Sequence, residues 1–175
     1  MPVTILEAEV NIKPNFCAIA FIGAVCNKPP MISVGITKNR LTFQGIEKNK
    51  EFSVNIPSKG QLLVTDLMGI VSGRETNKAD FFSIFYGELK KAPLIAECLI
   101  SMGCEVIDIL EYGGSHKIII AEIKETYVDN NVVSEKHILN IEKLDPIVLS
   151  LQQRKYYQLG SQAGNAWKDG QKIRK

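Results

Sequence analysis

The feature that most constrains the fold is a long alternating run late in the chain. Cys98, Ile100, Met102, Cys104 and Val106 fall on every second position, so they share one face of an extended strand. Gly113-Gly114 follows as a turn signal. Beyond it lies Lys117-Ile118-Ile119-Ile120-Ala121-Glu122-Ile123, continuing to Val128, a β-rich stretch long enough to pair back as a hairpin. Such a hairpin needs other strands around it to bury its apolar face.

Those strands are legible. Phe16 to Ile22 is a nearly continuous apolar run, the pattern of a strand buried on both faces. Pro29-Pro30 ends that pairing and starts a further strand from Met31 to Ile36, with Ile32, Val34 and Ile36 alternating with Met31, Ser33 and Gly35. Phe52, Val54 and Ile56 repeat with a period of two before Pro57.

Helices are few. Leu41 to Lys50 has helical spacing at Leu41, Gly45 and Lys48, and Lys59 to Ile70 at Leu62, Leu63, Asp66, Leu67 and Ile70. A third helix is expected over Gln162 to Lys168, with Ala163, Ala166 and Trp167 on one side. Many antiparallel strands with few helices predict a mainly β closed barrel with helical decoration. A parallel α/β sheet would need a helix after nearly every strand. The chain has no Gly-x-Gly-x-x-Gly turn and no Walker-type loop.

Composition sets further bounds. The 175 residues suit one domain, 1–175, with no repeat or linker-like stretch. The net charge of +2 is too small for a nucleic-acid protein with a basic stripe. The longest apolar stretch, Phe16 to Cys26, is about half of what a membrane helix needs. The start, Met1-Pro2-Val3-Thr4-Ile5-Leu6-Glu7, has no basic region followed by an apolar run. A cytoplasmic protein without membrane or nucleic-acid partners is expected. Cys17, Cys26, Cys98 and Cys104 are expected to be buried as small hydrophobes. No metal site is expected, because His116 and His137 have no cysteine at ligand spacing.

The residues of chemical interest lie in short blocks. Lys38-Asn39-Arg40-Leu41-Thr42 follows a strand and opens a candidate helix. Free N–H groups, a hydroxyl and a guanidinium together suit a phosphate, although a plain helix start with a solvated arginine reads the same way. Small Cys17, Ala18 and Ala20 allow close backbone approach along their strand, or simply fill a core. Asn55 is a polar residue at the end of an apolar strand, placed to reach a ligand or to form a turn. His116 leads a strong strand and either enters a site or sits in water at a turn.

These blocks and others resemble the flavin reductase-like family, flavoredoxin type, over nearly the whole chain. The run Asn15 to Val34 resembles its opening strand pair. Lys38 to Thr42, Glu51 to Pro57, Ser72-Gly73-Arg74, Lys91 to Cys98, Gly114-Ser115-His116 and Tyr156-Tyr157-Gln158-Leu159-Gly160 follow in the family's order.

The resemblance implies an FMN-binding split barrel, a homodimer with each flavin near the interface. Arg40 and Thr42, with backbone N–H groups of Asn39 and Leu41 in the block that begins at Lys38, would hold the flavin phosphate. Asn15, Phe16, Cys17 and Ala18 would run along the flavin ring. Asn55 would meet a flavin edge or the ribityl chain. Ser72, Gly73 and Lys78 would add contacts, and His116 would face the ring. The sequence departs from the family at Asn39 (often Ser), Ala18 (Thr), Phe21 (Trp), Met68 (Cys) and Asn77 (Asp).

Three functions fit the resemblance. One is an NAD(P)H-dependent flavin reductase, one is an electron carrier serving protein partners, and one is a non-catalytic ligand-binding barrel. No nucleophile–base pair stands out, and no catalytic side chain is assigned, because the cofactor would carry the redox chemistry.

Overall fold

The computed structural model describes residues 1–174. It opens with strands β1 (Thr4–Val10), β2 (Lys13–Ile19), β3 (Ile22–Asn27) and β4 (Pro30–Thr37). Helix α1 (Leu41–Asn49), strand β5 (Glu51–Ile56) and helix α2 (Leu62–Ile70) follow. Two short strands come next, β6 (Ile84–Tyr86) and β7 (Pro93–Ile95). Then come the long β8 (Ile100–Leu110) and β9 (His116–Val128). A one-turn helix α3 (Ile141–Leu144) and the hairpin β10 (Ile147–Ser150) and β11 (Lys155–Gln158) lie towards the C-terminus.

The expected hairpin is the spine of the sheet. β8 and β9 pair antiparallel from Ile100↔Val128 to Leu110↔Ile118, and Gly113 takes the left-handed backbone (φ 77°) that the connection requires. Seven strands join in the order β2-β1-β5-β8-β9-β4-β3. Leu6 and Cys17 at one end of this order share a core cluster with Val34 and Ile36 at the other. The sheet therefore curls around a single interior, yet its edge strands β2 and β3 do not pair with each other. The result is a split barrel.

Helix α1 enters the same core through Phe43 and Ile46. It packs on β1 so closely that a Cβ at Gly45 would sit 2.5 Å from the Glu9 carbonyl oxygen. Lys50 ends it in the left-handed conformation, its N–H donating to the Ile46 carbonyl at 2.9 Å. A second cluster lies on the outer face of β1 and β2, where Ile5 and Phe16 meet Met68, Ile95 and Cys98. The predicted second helix forms as a 3-10 turn, Lys59–Gln61, running into α2.

Three expectations require correction. The Phe16–Ile22 run is not one strand: β2 stops at Ile19 and β3 begins at Ile22. Only Phe16 and Cys17 of that run are buried. Cys26 is exposed on β3, because among the described residues nothing covers that edge strand beyond Ile22. Gln162–Lys168 forms no helix. Every residue there is exposed, Trp167 has φ 58°, and among the described residues the only helical turn nearby is a 3-10 turn over Asp169–Ile173. Without a buried face a stretch this short has nothing to offset helix nucleation. Among the described residues no helix is long and apolar enough to cross a membrane.

Candidate functional site

The open seam of the barrel carries a cleft with two joined parts. The first is a polar cradle of about 190 Å³, built from β2, the start of α1 and the loop that follows α2. Asn15, Phe16 and Cys17 floor it, Asn39 to Thr42 form one wall, and Ser72, Gly73, Arg74 and Lys78 form the other.

Each wall is tied to the floor. Asn15 Nδ2 donates to Thr42 Oγ1 at 2.6 Å, joining β2 to α1. Arg40, at the residue before α1, sends one Nη2 bond to the Gly69 carbonyl at 3.1 Å, joining that turn to the end of α2. Arg74 Nη1 reaches back to the Asn39 carbonyl at 3.2 Å. Lys78 Nζ donates to the carbonyls of Phe16 at 2.7 Å and Met68 at 3.0 Å.

The electrostatics favour an anion. Among the described residues Arg40, Arg74 and Lys78 form no ion pair with a carboxylate. The first backbone N–H groups of α1 also point out of the helix without an intrahelical acceptor. Lys78 is nearly enclosed, and burial, aided by the Arg40 charge, pulls its ammonium below the usual lysine range; Cys17 opposes this. Burial likewise pushes the Cys17 thiol up, against a Thr42 hydrogen bond and the charges of Arg40 and Lys78. Cys17 is therefore a small neutral wall of the cradle.

The second part is a more apolar pocket of about 240 Å³. It joins the cradle at Thr37 and Arg40, which line both. Ala18, Ile19, Ala20 and Phe21 form one side, Gly35 and His116 another, and Met1, Leu149 and Leu151 a third. The His116 ring meets Phe21 edge to face with centroids 5.3 Å apart, and Nδ1 lies 2.8 Å from Ser115 Oγ. The strand β10 is held at the pocket by Leu149 N donating to the Met1 carbonyl at 2.8 Å.

The fold thus gathers Asn15, Phe16, Cys17, Asn39, Arg40, Leu41, Thr42, Ser72, Gly73 and Lys78 around the cradle, and Ala18 and His116 around the adjoining pocket. Two expected residues lie elsewhere. Asn55 is fully buried, and its amide is committed. It donates to the Ile5 carbonyl and Ser53 Oγ and accepts from the Ile95 N–H, so it staples β5 to β1 and β7 instead of reaching the cleft. Lys38 turns away and pairs with Glu111, which also holds Lys117.

Other lining residues carry weaker signals. Arg74 is signalled only as the last member of the Ser72-Gly73-Arg74 block. Thr37 directly precedes the Lys38–Thr42 block. Leu149, on β10, and Leu151, in the turn after it, come from far along the chain and have no local signal at all.

Comparison with known proteins agrees with this geometry. The family described as "Flavin reductase like domain" matches residues 1–160. The flavoredoxin of Methanosarcina acetivorans superposes with a TM-score of 0.95 at 38% identity, covering 99% of this chain and 92% of that one. The flavoredoxin of Desulfovibrio vulgaris (Miyazaki F) gives 0.90 at 27% identity, covering 97% and 92%. The reductase component of 4-nitrophenol 4-monooxygenase/4-nitrocatechol 2-monooxygenase from Rhodococcus opacus is 31% identical over 124 residues, which are 70% of this chain and 63% of that protein. The match thus spans less than two thirds of that relative's length.

Proposed function

Because the chain belongs to the flavin reductase-like family, we propose that it is an FMN-binding redox protein that accepts hydride from NADH or NADPH. One observation carries the reading. A cationic cradle, with Arg40, Thr42 and the N-terminus of α1 on one wall, opens directly into an apolar pocket. FMN has that same division into a phosphate tail and a flat ring.

The residues fit the group. Arg40 keeps donors beyond the one spent on Gly69, and Thr42 Oγ1 is held in place by the Asn15 amide. These, with the N–H groups of Leu41 and Thr42, would hold the phosphate. Ala18 and Ala20 leave room for the ring against the strand end, and Phe21, His116, Leu149 and Leu151 keep water from it.

When bound, flavin supplies hydride acceptance and electron release. The chain supplies position and charge. Lys78 fixes the β2 backbone in the floor of the cradle and places a positive charge beside the phosphate. The exposed apolar residues Phe21 and Val25 at the sheet edge fit a homodimer that brings a second copy close to the flavin. A cytoplasmic location goes with this reading.

A second reading, electron exchange with protein partners, is supported by the likeness to two flavoredoxins at 38% and 27% identity. One experiment separates the two. The purified protein is loaded with FMN and titrated anaerobically with NADH and then NADPH. Bleaching of the visible band by either supports the reductase; a yellow protein indifferent to both supports the carrier. A protein that takes up no FMN contradicts both.

A further inference from the structure

The β10–β11 hairpin walls the apolar pocket, yet few bonds fasten it to the rest of the molecule. β10 is joined to the first residues of the chain, with Val3 N donating to the Ile147 carbonyl at 3.2 Å and Leu149 N to that of Met1. The turn that follows carries Leu151 to the pocket and, among the described residues, makes no hydrogen bond outside the hairpin. β11 makes one bond beyond the hairpin and the Asp145 that leads into it: Tyr156 Oη donates to Asp66 Oδ1 on α2 at 2.7 Å. Tyr156 is half-buried, and the rest of β11 is exposed.

This bond lies between the two parts of the cleft. Tyr156 stands directly opposite Leu149 in the hairpin, so their side chains share the face that meets the pocket. Asp66 comes just before Met68 and Gly69, whose carbonyls receive Lys78 and Arg40 of the cradle. The same end of α2 abuts the pocket wall: a Cβ on Gly69 would stand 3.6 Å from that of Ala18. Burial, then the bond to Asp66 and its charge, push the Tyr156 hydroxyl up to about 12, so it remains a donor across the neutral range. Neither Tyr156 nor Asp66 lines the cradle or the pocket itself.

We propose that Tyr156 is a positioning residue of the apolar pocket: through Asp66 it latches the β10–β11 hairpin to α2, which keeps Leu149 and Leu151 in the pocket wall and restricts access to the flavin. The inference rests on the reading that this pocket takes the flavin ring. It holds whether the electrons come from a nicotinamide or from a protein.

The test compares the wild type with Tyr156→Phe, which removes only the hydroxyl, Asp66→Ala, which breaks the bond from the other side, and Asp66→Asn, which keeps an oxygen acceptor. In apoprotein, amide hydrogen exchange over residues 149–158 should be about tenfold faster in Tyr156→Phe and Asp66→Ala, near wild type in Asp66→Asn, and unchanged across β8 and β9 in all three. The second readout uses FMN-loaded protein reduced anaerobically with dithionite and reoxidised by ferricyanide, two ions each removing one electron. Reoxidation should be at least about threefold faster in the two latch-breaking variants, with FMN affinity within about threefold of wild type. Wild-type exchange in the hairpin of both variants overturns the latch. Faster exchange with unchanged reoxidation overturns the positioning role and leaves Tyr156 a structural residue. Both of those results leave the FMN reading standing, whereas a wild type that takes up no FMN removes that reading and this inference together.

Discussion

Lys78 Nζ donates to the main-chain carbonyl of Phe16 at 2.7 Å, in the strand that floors the cleft. A second bond to Met68 makes this one ammonium a clamp between β2 and the end of α2. Lys78→Met would fill similar volume while leaving two carbonyls without their donor. The expected loss is about 2–3 kcal/mol of stability, read from chemical denaturation, together with weaker FMN binding. An unchanged denaturation midpoint would contradict the clamp.

Glu7 on β1 is fully enclosed, and neither carboxyl oxygen finds a hydrogen-bond partner among the described residues. Burial holds its carboxyl well above the ordinary value of 4.5. The native state thus keeps a proton that the unfolded chain releases. Its stabilising contribution is complete below pH 4.5 and is lost as pH rises towards the native value. Glu7→Gln should match the wild type near pH ~4 and exceed it by more than about 1 kcal/mol at pH ~8. Parallel stability–pH curves for the two proteins would show that Glu7 ionises as freely in the fold as outside it.

Gly73 presses on the side chain of Asn15, and a Cβ there would overlap Asn15 Oδ1 and crowd Leu41. Asn15 is the residue that orients Thr42. Gly73→Ala should displace Asn15 and weaken FMN binding about tenfold while costing about 1 kcal/mol of stability or less. Paired titration and melting experiments check this, and wild-type FMN affinity would contradict it.

His116 lines the apolar pocket against Phe21 and makes no contact in the cradle. His116→Ala should leave FMN affinity within about threefold of wild type but change the anaerobic rate of reduction by NADH or the midpoint potential. If rate and potential both stay the same, His116 is a packing residue only.

The sequence announces what is local. The β8–β9 hairpin was legible because alternation and the Gly113-Gly114 turn lie side by side, and α1 because its apolar spacing follows the Lys38–Thr42 block directly. The cradle was legible in blocks because Arg40, Thr42 and Ser72-Gly73 sit in loops where a polar residue asks for a reason. Asn55 misled because its partners are fixed from afar: Ile95, forty positions later, supplies the N–H that consumes its oxygen. Lys38 misled similarly, since only the sheet brings Glu111 beside it. Leu149 and Leu151 could not have been found, because an apolar residue reads alike whether it faces a core or a cleft. The C-terminal segment failed for the opposite reason: its helical spacing met no surface to pack on.

The central claim is that the Arg40 cradle recognises the phosphate of FMN, and the most direct test titrates apoprotein with FMN and with riboflavin, which lacks only that phosphate, in the wild type and in Arg40→Ala. FMN should bind about a hundredfold tighter than riboflavin in the wild type, and Arg40→Ala should erase most of that preference while riboflavin affinity stays put. Equal affinity for the two flavins in the wild type, or a full preference surviving in Arg40→Ala, would contradict it.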